Sequence, residues 1–207
     1  MLKLGFLASH NGSSFKAVVE AIEAGDLDAE ARLLVSNRKD APALVFAAAH
    51  AVPSRCIPTA ADPDAADTAL VTALRDAGVE LVVLSGYLRK LGPKTLAAYS
   101  GRILNIHPSL LPKYGGQGMY GRHVHEAVAK AGDRASGASV HLVDGEYDHG
   151  PVILQRETPL SPGDDAAAIE AKVTAVEAGL FVDVLRRISR RDLTLPQPNT
   201  IISDNLP

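Results

Sequence analysis

The strongest constraint on this chain is a rhythm in its first hundred residues, where short apolar runs alternate with stretches of helical period. Residues 4–8 have the length and composition of a buried strand. Phe15, Val18, Val19 and Ile22 then recur at the spacing of one helix face, and Gly25 closes that helix. Residues 32–35 predict a second strand, 43–50 a helix, and 54–57 a weaker third strand. Leu70, Val71, Leu74 and Ala77 mark another helix face, and residues 81–84 form the clearest buried strand in the chain. Pro93 suits the first turn of a short helix, and residues 103–106 make the next strand. Strands alternating with helices of this length build βαβ units. The expected fold is therefore α/β: a Rossmann-like, open, mostly parallel sheet with helices on both faces.

The second half departs from that rhythm. Residues 138–143 and 152–158 read as strands around the polar, turn-rich segment 144–150, predicting an antiparallel ending to the sheet. Whether they pair with each other or run on as edge strands is left open by the spacing. A long last helix over about 165–191 presents Ile169, Val173, Val176, Leu180 and Val184 on one face. After Leu195 the composition turns to Pro, Asn and Ser, so residues 193–207 are expected to be a frayed tail. A length of 207 residues without internal repeats predicts a single domain, 1–207.

Composition narrows the partners. Twenty-one basic against 24 acidic residues leave a net charge of −3 with no run of like charge, so neither nucleic acid nor a membrane surface is an expected partner. A single cysteine, Cys56, excludes an intramolecular disulfide and a thiolate metal cluster. The apolar start of the chain reaches Ser9-His10-Asn11-Gly12 too soon for a signal peptide or a membrane span, and a cytoplasmic protein is expected.

Three segments could carry chemistry. The first strand-to-helix turn, Ser9-His10-Asn11-Gly12-Ser13-Ser14, places a helix N-terminus where an anion could sit. It lacks the three glycines of a dinucleotide fingerprint and the Gly-Lys-Ser/Thr of a P-loop. A plain turn capped by Ser or Asn is the competing reading. The second segment is Asn105-Ile106-His107-Pro108-Ser109-Leu110-Leu111-Pro112. Asn105 and His107, two apart at a strand end, point the same way. A carboxamide donor beside an imidazole suits an oxygen that gains negative charge, although most such pairs are simply satisfied by backbone. In the third, Tyr147-Asp148-His149-Gly150-Pro151, an aspartate beside Gly-Pro is ordinary turn chemistry unless it meets His107, whose protonation it would favour. His123 and His125, two apart on a helix, make a poor metal pair.

Taken together, these segments resemble the folate-dependent formyltransferases, over residues 3 to about 190. The resemblance rests on the segment 105–112 and on Asp148 with Gly150-Pro151. It also takes in the Gly12-Ser13 turn, Ser36-Asn37, Leu84-Ser85-Gly86-Tyr87-Leu88-Arg89, and Ser139-Val140-His141. It implies formyl transfer from 10-formyltetrahydrofolate, the co-substrate, to the amine of glycinamide ribonucleotide in purine synthesis, without a metal, by a monomer or homodimer. By the same resemblance Asn105, His107 and Asp148 are catalytic, and Gly12, Ser13 and Ser14 hold the ribonucleotide phosphate with Glu177 on the ribose. Leu88, Arg89, Leu91, Ile103, Val143 and Asp144 line the folate site. Residues 1–100 would then be the nucleotide-binding half and 101–192 the catalytic and folate-binding half. The chain departs from the family pattern in ending its turn with His10 and Ser14. It has aspartates over 62–67 where some relatives use an arginine. Its glycine-rich segment 115–121 reads equally as a cover over the site or as a plain connector. Formyl transfer to another amine, such as a sugar nucleotide, and a non-catalytic folate- or nucleotide-binding module are the alternatives. A binding module has no need of Asn105, His107 and Asp148 together.

Overall fold

The computed structural model describes residues 1–196. Seven strands form one sheet in the order β3-β2-β1-β4-β5-β6-β7. They are β1 (Leu2–Ala8), β2 (Ala29–Ser36), β3 (Ser54–Cys56), β4 (Leu81–Leu84), β5 (Ile103–His107), β6 (Ala135–Leu142) and β7 (Val152–Pro159). The first five are parallel, β6 is antiparallel to β5, and β7 is antiparallel to β6. The two arrangements left open for the late strands are thus both realised: they pair with each other and extend the main sheet. Among the described residues six helices accompany the strands: α1 (Ser13–Glu23), α2 (Pro42–Ala49), α3 (Pro63–Asp76), α4 (Pro93–Ala98), α5 (Arg122–Ala131) and α6 (Ala166–Ser189).

Strand alternation divides the core into two layers. Leu4, Phe6 and Ala8 of β1 face a cluster containing Phe15 and Val18 of α1 and Ile169, Leu180 and Phe181 of α6. Leu7 faces the other side, against Leu70 and Leu74 of α3 and Tyr99 after α4. Gly5 shares the Leu7 face, where a Cβ would come within 2.8 Å of Leu74 and Val79, so the end of α3 packs directly on the β1 backbone. Leu193 and Leu195 pack against the first cluster, and Arg102 Nη1 donates to the Pro196 carbonyl. The start of the expected tail is therefore part of the core, while 197–207 lie outside the described residues. No helix among the described residues is long and apolar enough to cross a membrane.

With β4 beside β1, the chain winds outward in both directions from that pair. In such sheets the crevice at the carboxyl ends of the strands is where ligands bind.

Candidate active site

At the end of β1, Gly12 caps α1 with φ 63 and without a side-chain hydrogen bond. Neither Ser nor Asn plays the capping role that the plain-turn reading requires, and Asn11 instead accepts from Lys16 Nζ at 2.6 Å. A Cβ at position 12 would lie 3.2 Å from Ala43 and 3.3 Å from Ala8, so conformation and space both call for glycine. The Phe15 N–H donates to Ser85 Oγ at 2.9 Å. The helix offers no partner to the amides of Ser13 and Ser14, and its dipole adds to their attraction for an anion. Lys16 brings a cation to the same turn, while His10 is exposed. The aspartates at 62–67 have structural employment. Asp62 caps α3, Asp64 pairs with Lys94 at 2.8 Å, and buried Asp67 accepts from the Lys94 and Thr95 amides and from Thr95 Oγ1.

β5 carries Asn105 and His107, which stand opposite His141 and Ser139 of β6. His107 is buried, and its Nε2 lies 2.7 Å from the Tyr114 carbonyl. A carbonyl only accepts, so Nε2 carries a proton and is committed. Nδ1 lies 3.3 Å from Asp148 Oδ2 and is the nitrogen available for chemistry. His141 donates from Nδ1 to the Leu142 carbonyl at 2.9 Å, so its Nε2 accepts from Asn105 Nδ2 at 3.1 Å. That bond fixes the orientation of the carboxamide and leaves Asn105 a second N–H for a ligand.

Asp148 completes the group from the loop before β7, in the left-handed region at φ 56. Its Oδ2 also accepts from the Gly116 amide at 3.0 Å, and its Oδ1 lies 3.6 Å from His141 Nε2. Burial alone would raise this carboxyl, but the His107 imidazole and the Gly116 amide outweigh burial and hold it well below the usual carboxylate range. Gly115 is tightly placed, since a Cβ there would come within 2.5 Å of Leu111 and 3.3 Å of Asp148. The glycine-rich segment is thus tied at its start to the histidine and the aspartate. Asp144, by contrast, is exposed and accepts from the Glu146 amide at 2.8 Å in an ordinary turn, with His149 Nδ1 3.1 Å away. The Tyr114 carbonyl and the Gly116 amide escaped sequence reasoning, because backbone groups leave no mark in residue identity.

The remaining candidates differ in burial. Leu88 is 57% exposed, whereas Leu91 and Ile103 are buried in one apolar cluster with partly buried Val143 packed against it. The Val143 amide donates to the Ile103 carbonyl at 2.9 Å, which joins the two segments. Arg89 is exposed. Glu177 sits half-buried on α6, and burial pushes its carboxyl up to about 7, with His107 opposing and Glu170 adding to the rise. His125 is buried with an unpartnered Nδ1, and its imidazole is pushed down by burial. Among the described residues no group of three His, Cys, Asp or Glu side chains could hold a metal ion. A cavity of about 630 Å³ lies elsewhere, between the amino end of β2 and the carboxyl ends of α1 and α2, and shares no residue with this site.

Residues 2–185 match the model of the formyl transferase family. The chain is 36% identical over 188 residues to the chloroplastic phosphoribosylglycinamide formyltransferase of Vigna unguiculata, covering 90% of this chain and 60% of that protein. It is 34% identical over 197 residues to the phosphoribosylglycinamide formyltransferase of Haemophilus influenzae, covering 94% and 91% of the two chains. The chain thus spans less than two thirds of the plant relative's length but nearly all of the bacterial one. Among solved structures, the phosphoribosylglycinamide formyltransferase of Coxiella burnetii superposes with a TM-score of 0.86 at 34% identity, over 95% of this chain and 91% of that one. Sequence along almost the whole sheet and backbone at this level of agreement lead to the same place: the chain belongs to the formyl transferase family.

Proposed function

We propose that this protein transfers the formyl group of 10-formyltetrahydrofolate to the amine of glycinamide ribonucleotide, in purine biosynthesis. The observation that carries the reading is the convergence of Asn105, His107 and Asp148 at the end of β5. The folate supplies an activated formyl group on nitrogen. Leu88, Arg89, Leu91, Ile103, Val143 and the backbone at Asp144 form its site in this reading. Gly12, Ser13 and Ser14 take the ribonucleotide phosphate, and Glu177 takes the ribose hydroxyls.

As the amine attacks the formyl carbon, negative charge develops on the formyl oxygen. Asn105 Nδ2 and protonated His107 Nδ1 donate to that oxygen, and both are held before reaction begins: Asn105 by His141, His107 by the Tyr114 carbonyl. Asp148 keeps its charge beside His107 and orients water that carries the amine's proton to the departing folate nitrogen. The bond to the amine forms, the bond to the folate nitrogen breaks, and the proton lost by one is gained by the other. The products are the formylated ribonucleotide and tetrahydrofolate.

The test is an assay for tetrahydrofolate with and without glycinamide ribonucleotide. Release that depends on the amine is the expected result. Equal release with water alone would make the protein a hydrolase and overturn the reading.

A further inference from the structure

The phosphate turn and the folate segment are joined by an exchange of serine hydroxyls. Ser9, on the turn after β1, accepts at Oγ from the Leu88 amide at 2.8 Å and donates to Asn37 Oδ1 at 2.6 Å. Ser85, directly after β4, accepts at Oγ from the Phe15 amide at 2.9 Å. The Ser9 amide also donates to the Gly86 carbonyl at 3.1 Å. Each segment thus satisfies a backbone N–H of the other, and both serines are almost completely buried, at 1% and 2% exposure. Asn37 claims the Ser9 proton, so the hydroxyl presents only lone pairs to Leu88.

We infer that Ser9 and Ser85 are positioning residues that couple the two substrate sites, an inference that rests on the site assignments proposed above. The Phe15 amide belongs to the first turn of α1, whose preceding amides, those of Ser13 and Ser14, are assigned to the phosphate. Leu88 opens the segment assigned to folate. A hydroxyl on either side therefore sets the backbone geometry that the other side presents to its substrate. Losing it leaves the Phe15 or the Leu88 N–H without its partner, which the segment relieves by shifting.

The consequence is a crossed effect. Ser85→Ala, on the folate segment, raises the KM for glycinamide ribonucleotide, and Ser9→Ala, on the phosphate turn, raises the KM for 10-formyltetrahydrofolate. Each rise is about threefold to tenfold, the worth of one net hydrogen bond. Asn37→Ala, which frees the Ser9 hydroxyl to rotate, raises the folate KM in the same direction and serves if Ser9→Ala fails to fold. Both constants are measured with the other substrate saturating, on variants whose thermal melts show them folded. Gly12→Val and Leu88→Ala, measured alongside, should raise the KM of ribonucleotide and folate respectively. If those two act and the serine variants move only their own segment's substrate, or neither, the coupling is overturned. If Gly12→Val and Leu88→Ala leave their own substrates untouched, the site assignment falls and the coupling with it.

Discussion

At the scale of single residues, the site depends on which atom of each side chain is already spoken for. His107 has one nitrogen tied to a carbonyl and the other beside a carboxylate, and the proposed role of donor to a developing oxyanion rests on those two neighbours. His107→Ala is expected to lower kcat by roughly two to three orders of magnitude, the usual loss for an oxyanion donor, with little change in folate binding. Steady-state kinetics with both substrates check this, and near-normal turnover would remove His107 from the mechanism. Two aspartates in the same loop make a sharper comparison. Asp148 contacts two imidazoles and a backbone amide, while Asp144 bonds within its own exposed turn and to the exposed His149. Asp148→Asn keeps the shape and removes the charge, so activity should fall by about two to four orders of magnitude. Asp144→Asn should cost less than about tenfold in activity and no more than about 0.5 kcal/mol in stability. Rates measured for both variants at saturating folate decide between them, and the opposite ranking would place the chemistry on the wrong aspartate.

At the scale of elements, function depends on how strands hand over to helices. The β1–α1 turn keeps its shape because residue 12 has no side chain. Gly12→Val is expected to raise the KM for the ribonucleotide and leave the folate KM unchanged, because the left-handed backbone and the contacts with Ala43 and Ala8 forbid a branched residue. Equal losses for both substrates would instead indicate a general folding defect. The segment leading into α4 is held differently. Asp67 reaches from α3 to the amides of Lys94 and Thr95, and a Cβ on Gly92 would overlap its carboxylate. Asp67→Ala leaves buried donors unpaired at the start of α4 and should cost about 2–4 kcal/mol, read as a lower urea midpoint. A change below about 0.5 kcal/mol would mean that Asp67 does not hold this helix. In sequence this residue is one aspartate among several on a helix, and only the packing of α3 against α4 distinguishes it from Asp64, which remains in solvent.

At the scale of the whole molecule, burying a carboxyl has a cost that pH exposes. Glu177 titrates near 7 in the fold against about 4.5 as an ordinary glutamate. Between those values the native protein holds a proton that the unfolded chain has lost, so stability falls as pH rises from about 4.5, and the penalty is complete above about 7. Glu177→Gln removes it and is expected to stabilise the protein by on the order of 1–3 kcal/mol at pH 8 and by little at pH 4.5. Thermal melts at the two pH values check this, and an equal shift at both would show that the carboxylate charge is not the cause. Much of the architecture behind that site is local in origin. Periods of two and 3.6 residues are properties of short segments, so the alternating strands and helices, the close of the first helix at Gly25 and the long last helix were legible from residue identity. So was the segment from Asn105 to Pro112, because an unusual cluster of chemical groups is itself a local fact. The antiparallel end of the sheet was legible only as a pair of strands. Their places, β6 beside β5 and β7 beyond it, depend on a register between residues such as Asn105 and His141, 36 positions apart. Nothing local encodes the commitment of His107 Nε2 to the Tyr114 carbonyl, the grip of Gly116 on Asp148, or the burial that moves Glu177. Each depends on which backbone group or apolar surface the fold delivers to a side chain, and tertiary structure decides that delivery because it spans distances no sequence period can carry.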